Sequence, residues 1–533
     1  MGSEESLDVQ QPHLLARSLG ERWQRVEIDF HGAYWLSQIK ATPESEKHRA
    51  ELELELSRLK GDAEALDAVN GALATELHDP MLRRQLEVLR MSLTGNQMTE
   101  LQRESLIGLS SAVEGDFASF RPEVDGRKVS DNEIDEILKS SPDEALRREA
   151  WVASKEIGGL VADRVREMAR TRNEVARRLG WPDYFRMSLD LQELPEVWLF
   201  EVLEELEELT DAPFRRWKKE LDAGLARRHQ TESIQPWHYA DAFFQQLPPD
   251  GAVNLDAVLS EADPADLARR TFALWGFDIG EVIDRSDLYP RASKCQHAFC
   301  LDVDRAGDVR ILANVVSGQR WIEVMLHESG HAAYDISIDR SLPYVLRRPA
   351  HTFVTEAFAI LCGRLVRDEV WLRDVAGVTE SRTAKLRVEL ERADAAQKSL
   401  FARWGLVMVH FERDLYSDPE SDLDFRWWEL VERFQLVRPP PGRKAPDWAA
   451  KIHTAVAPVY YQNYLLGELL ASQIVESCEQ ETGRLVGNRE AGRLLEEKIF
   501  SRGASVRWDA IVKDATGRPL SAEDFARSVT VLV

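Results

Sequence analysis

Five consecutive residues, from His327 to His331, have the types and the spacing of a hydrolytic metal site. They read His-Glu-Ser-Gly-His, so the two histidines stand at positions i and i+4. On a helix these positions project from one face, and both imidazoles can reach the same ion. Glu328 does not share that direction and can instead reach a water on the metal as a general base. The pattern predicts a zinc site that activates water.

A third metal ligand is predicted in the apolar segment that follows Pro349. Glu356 lies in this segment among Phe, Val, Ala and Ile residues. A carboxylate in such surroundings is costly to bury unless it is paired or bound to a metal. His351 is an alternative ligand, although its place at the start of the segment is typical of a helix cap. Two histidines and a glutamate leave a fourth position open, as in catalytic rather than structural zinc sites.

The elements that must position these residues are predicted to be mostly helical. Leucines recur at i, i+3 and i+4 spacing between residues 10 and 110, and a second helical run covers 142–178. A further acidic helix is expected over 196–222. The zinc motif falls on a helix covering 320–337, and the segment with Glu356 forms another helix within 349–366.

One region departs from the helical pattern. Residues 294–315 contain two β-prone runs on either side of a turn at Arg305–Asp308, which predicts a β-hairpin. The hairpin comes directly before the zinc-motif helix. That helix has an apolar stripe of Ile322, Met325 and Leu326, which would face the core.

Composition excludes several classes of protein. The chain has 533 residues, with 68 basic and 92 acidic side chains and a net charge of −24, which argues against nucleic-acid or anionic-membrane partners. The acidic start of the chain predicts no signal peptide, and no apolar run is long enough to predict a transmembrane helix. The four cysteines are few for a secreted protein and are expected to be reduced and buried in a cytoplasmic one. They are Cys295, Cys300, Cys362 and Cys478.

The zinc motif and the later segment LPYVLRRPAHTFVTEA (342–357) together resemble the zinc-binding core of the angiotensin-converting enzyme (peptidyl-dipeptidase A) family. They resemble the thimet oligopeptidase and oligoendopeptidase family more distantly. The resemblance implies one helical metallopeptidase domain over 1–533, in two intertwined lobes around a deep central cleft. It also implies a catalytic core at 290–480 and an N-terminal helical lid at 14–115.

Specific roles follow from this resemblance for the residues of the zinc motif. It implies that one zinc ion per chain is held by His327, His331 and Glu356, with Glu328 as the general base. The segment CQHAF (295–299) resembles the family's substrate strand, so His297 and Ala298 are expected to bind the substrate.

A second matching segment, KIHTAVAPVYYQNYLLGELLASQ (451–473), resembles the lysine–histidine–tyrosine–tyrosine segment of the family. By this resemblance His453 and Tyr464 stabilise the oxyanion. Lys451 and Tyr461 are expected to bind the C-terminal carboxylate of the substrate, with Tyr460 as a competitor for the role of Tyr461. Gln245, in DAFFQQ, corresponds to a family glutamine that binds the same carboxylate.

The sequence also departs from the family at positions that matter for its chemistry. Asn463 and Val431 stand where animal members have arginines of their chloride sites, so chloride activation is not predicted. Ile360 stands where the family has an aspartate that orients a histidine. Another group must therefore orient that histidine here.

These observations predict a zinc-dependent peptidase that hydrolyses short unfolded peptides and releases C-terminal dipeptides. An oligoendopeptidase that does not require a free C-terminal carboxylate is an alternative. A non-catalytic peptide-binding scaffold is an alternative from another class, against which the intact Glu328 argues. The expected partners are oligopeptides, and the sequence does not predict an oligomeric state.

Overall fold

The computed structural model describes residues 12–248 and 253–532. The structure is mostly helical, with two short antiparallel strand pairs, which confirms the predicted fold class. Residues 1–11, which contribute to the prediction of no signal peptide, lie outside the described residues. Among the residues described, no helix combines the length and the apolar character needed to cross a membrane.

The helices occupy most of the chain. In the first half they are α1 (Pro12–Ile39), α2 (Pro43–Lys60), α3 (Ala63–Leu73), α4 (Pro80–Gly95), α5 (Glu100–Ser119), α6 (Asp131–Ser140), α7 (Glu144–Arg178), α8 (Tyr184–Leu191), α9 (Glu196–His229) and α10 (Asp256–Leu259). In the second half they are α11 (Pro264–Trp275), α12 (Gly280–Arg285), α13 (Gln319–Ser337), α14 (Thr352–Arg364), α15 (Glu369–Asp374), α16 (Glu380–Ser417), α17 (Leu423–Gln435), α18 (His453–Val456), α19 (Tyr461–Thr482), α20 (Arg489–Leu495), α21 (Trp508–Thr516) and α22 (Glu523–Val529).

Short elements complete the structure. The strands are β1 (Glu123–Val124), β2 (Arg127–Lys128), β3 (Phe299–Asp302) and β4 (Val309–Leu312). Single 3₁₀ turns include Pro236–His238, Tyr344–Leu346, Leu365–Arg367, Asp447–Ala450, Gly503–Ser505 and Thr530–Leu532, and one π-helical turn covers Glu496–Phe500.

The described chain forms two compact units. The first unit consists of residues 12–97, 254–387 and 466–521, and the second of residues 98–248, 388–465 and 522–532. Each unit is therefore assembled from segments that are far apart in the sequence.

Helix ends follow the local sequence signals. Asp143 caps α7 by accepting hydrogen bonds from the backbone N–H groups of Ala145 and Leu146, and the helix ends just before Leu179 and Gly180, as predicted. The alternating ELELEL run lies inside α2, which begins with a capping box at Thr42. Its Glu and Leu content favours a helix over the strand that alternation alone would suggest.

The core of the first unit forms around α13 and α14. Ile322, Met325 and Leu326 are fully buried, as the predicted apolar stripe requires. On α14, Phe358 lies at the centre of an aromatic cluster, with its ring centroid 4.8 Å from that of Phe500 and 5.7 Å from that of Trp275. These ring contacts pack α14 against other parts of the first unit.

A buried charge network ties the N-terminal helices of the first unit to the hairpin. Glu27, on α1, forms ion pairs with Lys60 at 2.6 Å and Arg305 at 2.9 Å, and it accepts a hydrogen bond from the hydroxyl of Tyr344 at 2.8 Å. Burial alone would raise the pKa of Glu27, but the two cations outweigh it and lower the pKa to about 2. The network therefore holds a charged carboxylate in the interior.

The core of the second unit includes a cluster between α6, α7 and the chain near Trp237. Its fully or nearly fully buried members are Val124, Val129, Ile134, Leu138, Ala150, Trp151, Ala153 and Trp237. Helix α16 contributes residues 388–417 to this unit and α19 contributes residues 461–465, whereas residues 466–482 of α19 belong to the first unit.

The predicted hairpin is present as β3 and β4. The strands are antiparallel, with Cys300 opposite Ile311 and Asp302 opposite Val309. The turn between them places Arg305 and Gly307 at positive φ, a conformation that glycine adopts without strain.

The cysteine prediction is correct for two of the four residues. All four are free, and Cys362 and Cys478 are buried, but Cys295 and Cys300 are only half-buried. The physical reason is the position of the hairpin, because every residue of β3 is half-buried and Cys295 lies just before that strand.

Candidate metal centre

Helix α13 presents His327 and His331 from one face. The helix begins after Gly318, and its buried side packs into the core while the two histidines remain half-buried. Their ring centroids lie 5.0 Å apart. The i, i+4 spacing thus places both imidazoles on one face of the helix, as the sequence predicts.

Gly330 permits a very close approach of α14 to α13. A Cβ atom at this position would lie 2.8 Å from Cα of Ala359 and 3.2 Å from Sγ of Cys362. Gly363, on the other helix, is not required in the same way, since a Cβ there would lie at an ordinary contact distance of 3.5 Å from Cβ of His327. The element whose close approach requires a glycine inside the zinc motif is therefore helix α14.

The close helix pair brings a third ligand atom to the two imidazoles. Oε2 of Glu356, on α14, lies 3.8 Å from Nε2 of His327 and 3.9 Å from Nε2 of His331. All three potential ligand atoms lie within 4.8 Å of one another. Among the described residues, this is the group of three or more His, Cys, Asp or Glu side chains that could hold a metal ion.

Each imidazole has a hydrogen-bond partner that fixes its orientation. The ring of His327 donates to the backbone carbonyl of Ala359. Nδ1 of His331 lies 2.7 Å from Oγ1 of Thr355, and it donates to that hydroxyl when Nε2 is the metal-binding atom. Both partners belong to α14, so the helix that supplies Glu356 also orients the two histidines.

The electrostatics of the three groups suit a dication. Burial lowers the pKa of His327 to about 4 and lowers the pKa of His331 well below its ordinary value, so both rings are neutral and can donate a lone pair. Glu356 is 7% exposed and lies among apolar side chains of α14. Two neutral imidazoles and one carboxylate with their ligand atoms converging form a donor set that fits zinc.

Glu328 is the buried carboxylate next to this donor set. It is 9% exposed, and its carboxylate accepts a hydrogen bond from the backbone N–H of Cys300 on β3. Burial, reinforced by the charge of Glu356, raises the pKa of Glu328 to about 8, against the effect of that hydrogen bond. Such a group can exchange a proton near neutral pH, as a general base requires.

The predicted substrate strand lies beside Glu328. Ala298 is the half-buried residue just before β3, and His297 is exposed one residue earlier. Because Cys300 of the same strand bonds to Glu328, the hairpin is held against the zinc-motif helix. His297 and Ala298 therefore belong to the same unit as the donor set.

The remaining predicted residues lie in the second unit. Nζ of Lys451 is 3.2 Å from Oε1 of Gln245, and it also lies 5.5 Å from the ring centroid of Phe243. Burial lowers the pKa of Lys451 to about 8, partly offset by the charge of Asp241. Two residues that are 206 positions apart in the sequence are thus brought into contact.

His453 and the tyrosines of α19 form a second group in this unit. The ring centroid of His453 lies 5.3 Å from that of Tyr461, and Tyr461 lies 5.5 Å from Tyr464. The hydroxyl of Tyr461 accepts a hydrogen bond from Nε1 of Trp404 at 3.3 Å. Tyr460 is half-buried just before α19, and its ring centroid is 5.1 Å from that of Tyr464.

Two further residues bear on the sequence predictions. His351 accepts a hydrogen bond from the backbone N–H of Phe353 at 3.2 Å and caps α14, which agrees with its interpretation as a cap. In this sequence Ile360 replaces the family's aspartate that orients a histidine, and the sequence offered no other candidate for that role. In the structure Thr355 takes it. Nothing in the sequence singles out a threonine next to a glutamate, because its role depends on how closely the two helices approach.

Comparison with known proteins shows that this region is similar to one family of peptidases. Residues 282–531 match the family model described as Peptidase family M3. The matched region contains α13, α14 and β3, and therefore all three potential metal ligands. The match confirms the resemblance to zinc metallopeptidases of the angiotensin-converting enzyme and M3 group that the sequence predicts.

Curated relatives share a low sequence identity with this chain. The chain is 25% identical over 236 residues to the angiotensin-converting enzyme of Mus musculus and 24% identical over 236 residues to that of Rattus norvegicus. Each alignment covers 42% of this chain and 18% of the relative. The chain therefore spans less than a fifth of the length of these curated relatives.

Proposed function

We propose that this protein is a zinc-dependent peptidase that hydrolyses short unfolded peptides and releases C-terminal dipeptides. The observation that carries the proposal is the convergence of ligand atoms from His327, His331 and Glu356 next to the buried carboxylate of Glu328. The family match over the same residues supports a metallopeptidase rather than another metal-dependent hydrolase.

The chemistry divides between the ion and the protein. Zinc held by the three ligands would polarise the scissile carbonyl and make water more acidic. Glu328 takes a proton from the attacking water as its oxygen bonds to the carbonyl carbon, and then gives that proton to the amine nitrogen as the C–N bond breaks.

His453 and Tyr464 are proposed to donate hydrogen bonds to the negatively charged oxygen that develops on the scissile carbonyl. Their neighbouring rings and the family resemblance of their segment support this role. His297 and Ala298 are proposed to bind the substrate next to Glu328.

Dipeptide release requires recognition of the substrate's C-terminus. Lys451, Gln245 and Tyr461 are proposed to bind that carboxylate, because an ammonium and an amide already in contact offer a cation and hydrogen-bonding groups together. This contact favours peptidyl-dipeptidase action over endopeptidase action. A cytoplasmic location is part of the proposal, supported by the four free cysteines.

Metal analysis and one substitution test the proposal. Purified protein should contain one zinc ion per chain, lose peptidase activity on chelation and regain it with added zinc. Glu328→Gln should keep the zinc and lose turnover by about 10²- to 10⁴-fold. Glu281→Gln is the matched control, since its side chain is 91% exposed in the same unit. A protein that binds no zinc, or a Glu328→Gln variant with normal turnover, would contradict the proposed function.

A further inference from the structure

A strained turn in the second unit connects two helices that carry side chains proposed to contact the substrate. Residues 457–460, named here the α18–α19 turn, connect the helix that begins with His453 to the helix that carries Tyr461 and Tyr464. Val459, in this turn, is 1% exposed and has φ +53°. Positive φ is rare for a β-branched residue, and such residues persist only where surrounding contacts enforce them.

Glu412, on α16, supplies the contact at the strained residue. Its Oε1 accepts a hydrogen bond from the backbone N–H of Val459 at 2.7 Å, and its carboxylate also accepts one from the backbone N–H of Tyr460. Glu412 itself is 1% exposed. The buried carboxyl group of Glu412 thus accepts hydrogen bonds from two successive backbone amides of the turn.

Other side chains hydrogen-bond to the turn and to the helix just before it. Arg172, on α7, donates to the backbone carbonyl of Ala455 at 3.0 Å, and its charge faces Glu412. Nε2 of Gln462 donates to the carbonyl of Val459 at 2.6 Å, and Nε2 of Gln192 donates to the same carbonyl at 3.2 Å. The turn is therefore bound on both its N–H and its C=O groups.

We propose that Glu412 is a positioning residue, which enforces the conformation of the α18–α19 turn and so sets the spacing between His453 and Tyr464. The inference rests on the proposed function, because it assigns Glu412 an effect only through those two side chains. A displacement of about 1 Å at reacting groups costs a large factor in rate. A backbone segment under strain needs such a clamp to stay in one conformation.

Two substitutions at Glu412 separate the clamp from simple packing. Glu412→Leu keeps similar volume but removes both acceptor oxygens. Glu412→Gln keeps a carbonyl acceptor, and it is the conservative replacement because burial raises the pKa of Glu412 to about 8, so that the neutral acid dominates at pH 7. We expect kcat to fall by about 10- to 100-fold in the leucine variant and by less than about threefold in the glutamine variant.

A third substitution tests the strain directly. Glycine adopts positive φ without a steric penalty, so Val459→Gly should let the turn form without its clamp. Adding it to Glu412→Leu should recover most of the lost kcat. The matched control is Leu436→Gly, which replaces another non-glycine residue at φ +56° in the same unit and should recover nothing.

Hydrogen exchange gives a readout that does not depend on activity. The amides of Val459 and Tyr460 should exchange faster in Glu412→Leu than in the parent protein, while zinc content stays unchanged. The kinetic effect should also be non-additive with Tyr464→Phe, because Glu412 acts through Tyr464. If Glu412→Leu does not fold, Glu412→Asp replaces it, since the shorter side chain keeps a carboxyl group but draws its oxygens back from Val459.

The outcomes distinguish this inference from the proposed function. If Tyr464→Phe and His453→Ala lose activity but the Glu412 variant turns over normally, or loses activity additively with Tyr464→Phe, the positioning role is overturned and the proposed function stands. If Tyr464→Phe and His453→Ala are fully active, their proposed catalytic roles fail and the inference fails with them. Unchanged exchange of the Val459 and Tyr460 amides also overturns it.

Discussion

Oγ1 of Thr355 lies 2.7 Å from Nδ1 of His331, so the residue that precedes one proposed metal ligand orients another. A partner on the second ring nitrogen fixes both the tautomer and the plane of a metal-binding imidazole. Here the partner is a neutral hydroxyl, carried by the same helix as the carboxylate ligand.

Replacement of Thr355 should therefore weaken zinc binding. Thr355→Val keeps the shape and removes the hydroxyl, and we expect zinc affinity to fall by about 10- to 100-fold. Competition with a zinc chelator measures the change. Thr355→Ser retains the hydroxyl and should bind zinc within a few-fold of the parent protein. Equal affinities for the valine and serine variants would contradict the orienting role.

Gly330 should be intolerant of even the smallest side chain. The added Cβ of Gly330→Ala would lie 2.8 Å from Cα of Ala359, which is backbone and has little freedom to yield. We expect a loss of about 1–3 kcal/mol in the free energy of unfolding, together with lower zinc occupancy. Gly32→Ala is the control, because a Cβ at Gly32 in α1 has no neighbour within 4 Å. Alanine is the better helix former, so Gly32→Ala should leave the protein as stable or slightly more stable.

The preference for substrates with a free C-terminal carboxylate should depend on Lys451. A peptide with a free C-terminus should be cleaved far faster than its amidated form, and Lys451→Met should reduce kcat/KM for the free peptide by about 10- to 100-fold while hardly changing that for the amide. Since burial lowers the pKa of Lys451 to about 8, KM for the free peptide should also rise as the pH increases above 8. Equal cleavage of both peptides would instead indicate an oligoendopeptidase.

The buried charge of Glu27 predicts a defined dependence of stability on pH. Its pKa of about 2 is below the ordinary value of 4.5, so its contribution is complete above pH 4.5 and is lost as the pH falls toward 2. Glu27→Gln should cost on the order of 3 kcal/mol at pH 7, partly because Lys60 and Arg305 stay buried without their partner. Thermal unfolding at several pH values should show this difference shrinking below pH 4.5. Glu21→Gln, an exposed ion-pair control on α1, should change little.

Sequence periodicity and spacing predicted the elements of the metal centre well. The i, i+4 spacing placed His327 and His331 on one face of α13, and the turn signal at Arg305–Asp308 located the hairpin. These features depend on local sequence, in which side-chain direction follows from helical or strand geometry.

Contacts between elements were beyond the reach of the sequence. The hydrogen bonds of His327 to Ala359 and of His331 to Thr355 depend on the close approach of α13 and α14, which Gly330 permits. Likewise, Glu412 lies 47 residues from Val459, and no spacing rule connects them. Such partners depend on how helices pack, which the pattern of a single segment does not specify.

The hydrogen bond from the backbone N–H of Cys300 to Glu328 has a consequence for how this site can vary. Because the donor is a main-chain amide, substitutions of the side chain at position 300 do not remove this hydrogen bond. Proline is the exception, since it has no N–H to donate. The proposed general base is thus protected from most mutations at the residue that holds it.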